Sequence, residues 1–577
     1  MDILKEVSKL KENYTSSVDI LDGLSFSQTE VIKMIEFYTN SKYLNGDFDE
    51  FGRLKPFYNI INFRVDIATK ATDLDTKDIQ IYSENPKHRI KSMLFSKAIK
   101  NWMRKTYFSK TLNEINFTRA KYGGVLVKKV MRDGELYLEV PEWKNLITDQ
   151  IDIKNGFKIE KHYLTPVQIQ AKSEVWEGVE ENKEKISKIL KKGKRGSFTN
   201  SDRLCVFEME GELPKSYMGG DEEGYSLQKH VILTDTEEEP VAVLHSEEVK
   251  SSQYKYLAWR TASGRGLGIG IAEDGFHAQI ASNDTVIKEK DIMEIASKVL
   301  FLTDSQMLEN NVMGESLVGD IIKVDKGDQF NQVNLTPSSL PQLSNILEKW
   351  DEQYSRTSST HEAVTGETMP SGTPFRALAI QNQEAQSTFN YRKEEMGIFL
   401  NEIFTDWIIP HISKVINKDF ILASDFEDDE LLEIDTAFIN DIVSEKIWSS
   451  ALDGKPTTME EVETLKEVQR QELKKTQKNK RYIQIPKDYF KDVQFKIDVI
   501  TTGEQVNKQA VFETLANLMQ FVQDPIKRNK IMAKIVELSG IGLSPSVFEA
   551  PDQPQPTTDA RPEVSPELLP AEQQPVQ

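Results

Sequence analysis

From Met396 onward the apolar residues Phe399, Leu400, Ile403, Phe404, Trp407, Ile408, Ile412 and Val415 recur at three- and four-residue steps, the spacing that places side chains on one face of a helix. Upstream, residues 375–386 contain no helix breaker and Pro374 suits a first turn, so the pattern predicts one helix over residues 374–416. At about 1.5 Å per residue such a helix reaches roughly 60 Å. Pro410 is expected to kink it near its end. The first half is rich in Gln, Asn, Ser and Thr, which suits either a solvated face or one turned to a neighbouring subunit.

Periodicity elsewhere predicts helices over residues 29–40, 59–68 and 93–117, with a strand at 78–82. The turn Ala120-Lys121-Tyr122-Gly123-Gly124 opens an expected β-meander: residues 125–131, a hairpin turn at Asp133-Gly134, residues 136–140, and a later strand at 157–162. A charged helix is expected over 174–195, where Lys191, Lys192, Lys194 and Arg195 complement the helix dipole. Strands resume at 203–209, 230–233 and 241–244. The organisation is α+β.

Gly264, Gly266, Gly268 and Gly270 stand at alternate positions and invite a phosphate-loop reading. That reading fails: the third glycine of the dinucleotide pattern falls on Ile269, Ile271 or Glu273, and the Gly454-Lys455 pair is followed by Pro456. The glycines are read instead as letting the backbone turn tightly and approach a neighbour before a helix begins. That helix is expected over 271–298, with Phe276, Ile280, Ile287, Ile295 and Val299 as a thin apolar face. Gly275 and Ser282-Asn283-Asp284 weaken it, as suits a helix packed against copies of itself. Extended segments follow at 300–302, 320–324 and 332–335. Ser338 or Ser339 then caps a helix carrying Leu343, Ile346, Leu347, Trp350 and Tyr354 and ending near Val364. Thr365, Gly366, Glu367, Thr368, Met369, Pro370, Ser371, Gly372 and Thr373 join it to the long helix as a small-residue loop without histidine, cysteine or paired carboxylates.

Beyond the long helix come Phe420-Ile421-Leu422, an acidic run over 425–435, a helical region over 437–480 and a strand at 493–499. Lys474, Lys475, Lys478, Lys480 and Arg481 read as a solvated helix face, with a DNA-facing role as the alternative. Further helices are expected at 508–522 and 525–538, and the Pro/Gln/Glu-rich stretch from Pro551 is expected to be disordered.

A chain of 577 residues suffices for three or four structural units. The net charge of −20 argues against wrapping nucleic acid or binding phosphate nonspecifically; it is compatible with a channel that conducts nucleic acid without gripping it, although solubility alone is the commoner reason for such a charge. Cys205, the chain's one cysteine, can form no intrachain disulfide and reads as a small buried hydrophobe, in keeping with a reducing cytoplasm. No apolar run reaches the ~18 residues of a membrane helix. Met1-Asp2-Ile3-Leu4-Lys5-Glu6 lacks the order of a signal peptide, so no membrane and no secretory route is expected. His-Glu-x-x-His, Gly-x-Ser-x-Gly and a calcium-loop pattern in 425–433 are missing, and the seven histidines are scattered. No catalysis, cofactor or metal is expected.

Taken in order, these parts resemble the portal proteins of tailed bacteriophages. The resemblance spans about residues 30–550 and rests on Asn59-Ile60-Ile61-Asn62, on Gly264-Arg265-Gly266-Leu267-Gly268 before a helix, and on Gly366 through Arg376 before the long helix. It implies a portal-like fold: a wing over 1–270, a stem helix over 271–298, a small mixed clip over 299–338 and a second stem helix over 339–364. A tunnel loop over 365–375, a long spine helix over 376–418, a C-terminal wing and crown region over 419–550 and a disordered tail over 551–577 complete it. It also implies a homo-oligomeric ring of twelve subunits at one capsid vertex of the virion, assembled in the host cytoplasm. Double-stranded DNA would pass through the ring during genome packaging and ejection.

The implied partners are the terminase packaging motor, the major capsid protein, and scaffold and tail adaptor proteins. The loop Thr365–Thr373 would meet DNA, with Thr368 and Thr373 as weak hydroxyl contacts to phosphate. Arg376 is a candidate for DNA or for an ion pair with Glu367 or a neighbouring subunit. Lys323, Lys326, Asn310 and Asn311 would face the motor and adaptors from the clip. The alternative is another structural virion or scaffold component built from long helices, without a DNA channel.

Overall fold

The computed structural model describes residues 3–85, 88–193, 203–218, 223–296, 300–303, 330–333, 340–360, 375–416, 420–422, 426, 428–452, 458–475, 482–484, 489–490, 493–499, 528 and 532. Within them the chain is α+β, as its periodicity predicts. It opens with α1 (Ile3–Thr15) and a hairpin of β1 (Val18–Leu21) and β2 (Leu24–Phe26), followed by α2 (Gln28–Thr39) and α3 (Ile61–Ala71). The Ser27 hydroxyl caps α2 by accepting from the Glu30 N–H. Neither α1 nor the hairpin follows from the sequence reading, because α1 is mostly polar and buries only Ile3, Val7 and Tyr14.

After β3 (Ile79–Tyr82) come α4 (Arg89–Lys105) and α5 (Phe108–Tyr122), where the periodicity predicts one helix. Tyr107 breaks the run: its φ of 53° is left-handed and turns the chain, so that Phe108 packs on Trp102 with ring centroids 5.6 Å apart. The Asp133-Gly134 hairpin joins β4 (Gly124–Arg132) to β5 (Glu135–Glu139) as expected. The meander does not continue into residues 157–162. Instead β11 (Tyr254–Ala258) pairs with the other edge of β4.

Residues 158–164 form β7 in a second antiparallel sheet of order β10-β9-β8-β7-β6. Its other strands are β6 (Leu146–Thr148), β8 (Leu204–Pro214), β9 (Tyr225–Thr234) and β10 (Pro240–Glu248). Alternation along β8 sends Cys205, Phe207 and Met209 toward α1 and Leu204 and Val206 toward the opposite face. That face is covered by α6 (Pro166–Ala171), α7 (Gly178–Glu181) and α8 (Lys183–Gly193), the last two standing where one helix is predicted. Cys205 is buried, and burial pushes its thiol up to about 11, so it behaves as the hydrophobe it was read to be.

The glycine run leads into α9 (Ile271–Asp274) and α10 (Phe276–Ala296). Then come β12 (Leu300–Thr303), β13 (Phe330–Val333) and α11 (Leu340–Thr357). The long helix follows as α12 (Phe375–Ile403), a π-helical turn (Phe404–Ile408) and α13 (Ile409–Ile416). Pro410 has no N–H for the Asp406 carbonyl, and the expected disturbance takes the form of that π turn. The apolar residues of the stripe from Met396 to Ile412 are buried against Trp102, Phe108, Leu112, Val125 and Leu136. β14 (Phe420–Leu422) pairs with β15 (Tyr482–Gln484), on either side of α14 (Asp428–Leu452) and α15 (Met459–Lys475). β16 (Lys496–Val499) pairs with β3. The chain divides into compact units of Met1–Thr501 and Thr502–Gln577; the helices predicted at 508–522 and 525–538 and the tail from Pro551 lie largely outside the described residues. Among the described residues no helix is long and apolar enough to cross a membrane.

Candidate functional site

The chain runs out along α10, crosses the antiparallel ribbon of β12 and β13 and returns along α11, which packs on α10. Residues Leu300–Leu302 and Gln332-Val333 are extended as predicted; residues 320–324 lie outside the described residues. The two helices thus form an arm whose ends meet at one root.

Close backbone contact builds that root. Gly123 caps α5 at a φ of 87°, and a Cβ there would lie 2.2 Å from the Gly268 carbonyl oxygen. Conversely, a Cβ on Gly268 would lie 2.3 Å from the Gly123 oxygen. The glycine run therefore approaches another segment of its own chain. Arg265 then fixes α9: its guanidinium donates to both Glu273 carboxylate oxygens at 2.7 and 2.8 Å and to the Leu267 carbonyl at 2.7 Å. Arg260 pairs with Asp274 on the same turn, although burial still pushes that carboxyl above its ordinary range.

The arm helices are held there by buried polar groups, one of them, Asn283, in the run that sequence reading counts as a weakness. Gln279 accepts from the Ile60 N–H at 3.0 Å and donates to the Tyr58 carbonyl at 2.6 Å, while Asn283 accepts from the Tyr58 N–H at 3.0 Å. Both side chains are buried, so the start of α10 belongs to a core and is not left for copies of itself. Tyr354, fully buried, lies over Gly275 and donates to the Ile271 carbonyl at 2.9 Å; burial holds its hydroxyl far above the ordinary range. Arg64 of α3 grips the end of α11, donating to Asp351 at 2.8 Å and to the Thr360 carbonyl at 2.7 Å. The helix ends at Thr357, short of Val364, and Ser358 and Thr360 pack against this grip.

Arg119 ties the long helix to the same place. It is wholly buried and donates to the Ala258 carbonyl at 3.0 Å, the Arg392 carbonyl at 2.8 Å and Glu395 at 2.6 Å. Burial pushes its pKa down to about 10, with Glu395 opposing the shift.

No protein-family model and no curated protein matches the chain.

The predicted loop residues Thr365 to Thr373 and the clip residues Asn310, Asn311, Lys323 and Lys326 lie outside the described residues. Arg376 is the second residue of α12, and its backbone alone is described. Sequence reading does not single out Arg64, Arg119 or Gln279. Their only signal is an isolated polar residue inside an apolar helical period.

A second cluster lies on the sheet, where Glu160, His162 and Glu208 bring one ligand atom each within 4.8 Å of one another. Adjacent strands make this grouping, and no local spacing announces it. Lys128 Nζ lies 2.7 Å from both carboxylates and Lys229 Nζ lies 3.0 Å from Glu208, so ammonium groups already occupy the space a cation would take. Burial alone would raise Glu208, but His162, Lys128 and Lys229 outweigh it and hold the carboxyl far below its usual range. The arrangement is an ion-pair network linking β4 to the second sheet.

Proposed function

We propose that this chain is a portal-type subunit. Identical copies close into a ring at a capsid vertex, and the ring is the channel through which the viral genome is packaged and ejected. The observation that carries the reading is the arm: α10 and α11 leave from and return to one braced root, with a strand ribbon between them and the long helix after them. In this reading α10 and α11 are the stem, the ribbon belongs to the clip, residues 365–375 are the tunnel loop, and residues 419–550 finish the wing and crown. Ring closure by head-to-tail contacts requires every copy to hold its arm at the same angle. The root supplies that through buried ion pairs and glycine contacts that leave little freedom. The motor and tail adaptors would dock on the clip, and capsid and scaffold proteins on the outer faces. Twelve copies follow from the resemblance alone.

Electron-microscopy class averages of the purified full-length protein test the reading. Closed rings with a central hole are expected; a monomer or an open filament at all concentrations would overturn it.

A further inference from the structure

Residues 46–56 form a small hairpin that displays its apolar side chains. Phe48 and Leu54 bridge across it, and Phe48, Phe51 and Leu54 are 63%, 81% and 62% exposed. Such a surface is unusual for a chain in isolation. Ionic contacts hold the hairpin: Arg53 joins Asp49 at 2.8 Å within it, and Glu294 of α10 at 2.6 Å, while Lys290 of α10 donates to the Leu54 carbonyl at 3.2 Å. It is thus built in place on the arm.

Its side of the arm can be read from helix geometry. Ser344 of α11 donates to Glu289, which marks the face of α10 turned to α11. At 100° per residue, Lys290, Asp291 and Glu294 lie about 100° to 200° round α10 from Glu289. The hairpin and α11 therefore flank α10 on different sides. On α11, in turn, the packed face is marked by buried Tyr354 over Gly275, and Ile346 and Lys349 lie about 80° and 140° round from it. Ile346 is 39% exposed although its spacing predicts burial, and Lys349 is exposed with no acidic partner among the described residues. The hairpin beside α10 and the exposed stripe of α11 are thus two separate surfaces of the arm.

We infer that the hairpin docks on the α11 face of the next copy of this chain, Phe51 against Ile346 and Glu50 against Lys349. This inference rests on the ring reading and names one contact within it. A ring needs two different, complementary faces on each subunit, and the arm carries an apolar tip with an exposed acid on one flank and an apolar residue with an exposed base on the other. Glu50 is exposed and has no basic partner among the described residues.

The test uses the full-length protein and a charge swap, read by light scattering across a concentration series. E50K and K349E alone should each raise the half-assembly concentration by roughly threefold to tenfold, and the double variant E50K/K349E should restore it. F51E should raise it by at least about 30-fold with an unchanged melting temperature, since the side chain is solvated in the lone chain. In a second measurement, oxidised E50C/K349C should give a covalent ladder of multimers, with buried Cys205 as the only other cysteine. Normal rings from F51E with no ladder would overturn the hairpin contact and leave the ring reading standing. A wild-type chain that stays monomeric would overturn both.

Discussion

Tyr354 fills the space that a side chain at Gly275 would need: a Cβ at that glycine would stand 2.5 Å from the tyrosine ring Cζ, and the hydroxyl is anchored on the Ile271 carbonyl at 2.9 Å. The buried ring, tethered by that hydrogen bond, resists moving aside. Gly275→Ala should therefore destabilise the chain by about 1–3 kcal/mol, as overpacking does. Tyr354→Phe keeps the ring and loses the hydrogen bond, at a cost of about 1 kcal/mol. Urea unfolding of the two variants measures both, and a neutral Gly275→Ala would show that the root yields.

His230 gives the fold a pH dependence. Burial first, and then His245, pushes its pKa down from 6.5 to about 4. Ser246 Oγ lies 2.8 Å from Nδ1 and Gln228 Oε1 lies 2.9 Å from Nε2, an arrangement that suits the neutral ring donating from Nε2. Because the folded pKa lies below the unfolded one, the unfolded chain takes the proton first. The contribution is present above about pH 6.5 and is lost as pH falls toward 4, by roughly 3 kcal/mol in total. His230→Gln should flatten the stability profile over that window; an unchanged slope would assign the dependence to other groups.

Lys128 makes a prediction about metal. With its ammonium between Glu160 and Glu208, added zinc ion should leave the melting temperature of the wild-type protein unchanged at neutral pH. Lys128→Met removes the ammonium that the two carboxylates share, leaves Glu208 to Lys229 and His162, and should cost about 3 kcal/mol. With Lys229→Met added, no ammonium remains on Glu208; Glu160, His162 and Glu208 are then free to ligate, and zinc ion should raise the melting temperature of that double variant. Stabilisation of the wild-type chain by zinc would mean that the lysine gives way.

Removing residues 365–373 separates channel from scaffold. If the loop serves passage of DNA, the deletion should still form rings but abolish genome packaging, scored by particle counts and packaged DNA. Loss of ring assembly would instead make the loop a structural joint.

The long helix was legible because its apolar stripe repeats without interruption, and Pro410 marked the place where the hydrogen-bond ladder slips. The glycine run was legible as a close approach, since the failed phosphate pattern left a steric purpose. What periodicity could not supply is partnership across distance. Ser282-Asn283 reads as a weak spot until Tyr58 is seen to need Asn283, and Gly275 reads as a breaker until Tyr354 arrives 79 positions later. The Tyr107 corner and the departure of residues 158–164 to another sheet are tertiary choices, made by packing where local propensity is neutral. The functional reading stands on the order of the elements; of the residues expected to meet DNA and motor, Arg376 is the second residue of α12 and the rest lie outside the described residues.

The pairing of Ile79–Tyr82 with Lys496–Val499 has a consequence for biosynthesis. Lys496 and Glu84, bonded beside that ladder, stand 412 residues apart. At about 5–20 residues per second, the first strand leaves the ribosome roughly 20–80 s before its mate exists. Through that interval the nascent polypeptide bears a bare, isoleucine-containing edge, and any chain terminated before residue 496 bears it permanently. Truncated products should accordingly precipitate or be captured by chaperones, and the late strand Lys496–Val499 acts as the latch that makes Ile79–Tyr82 safe.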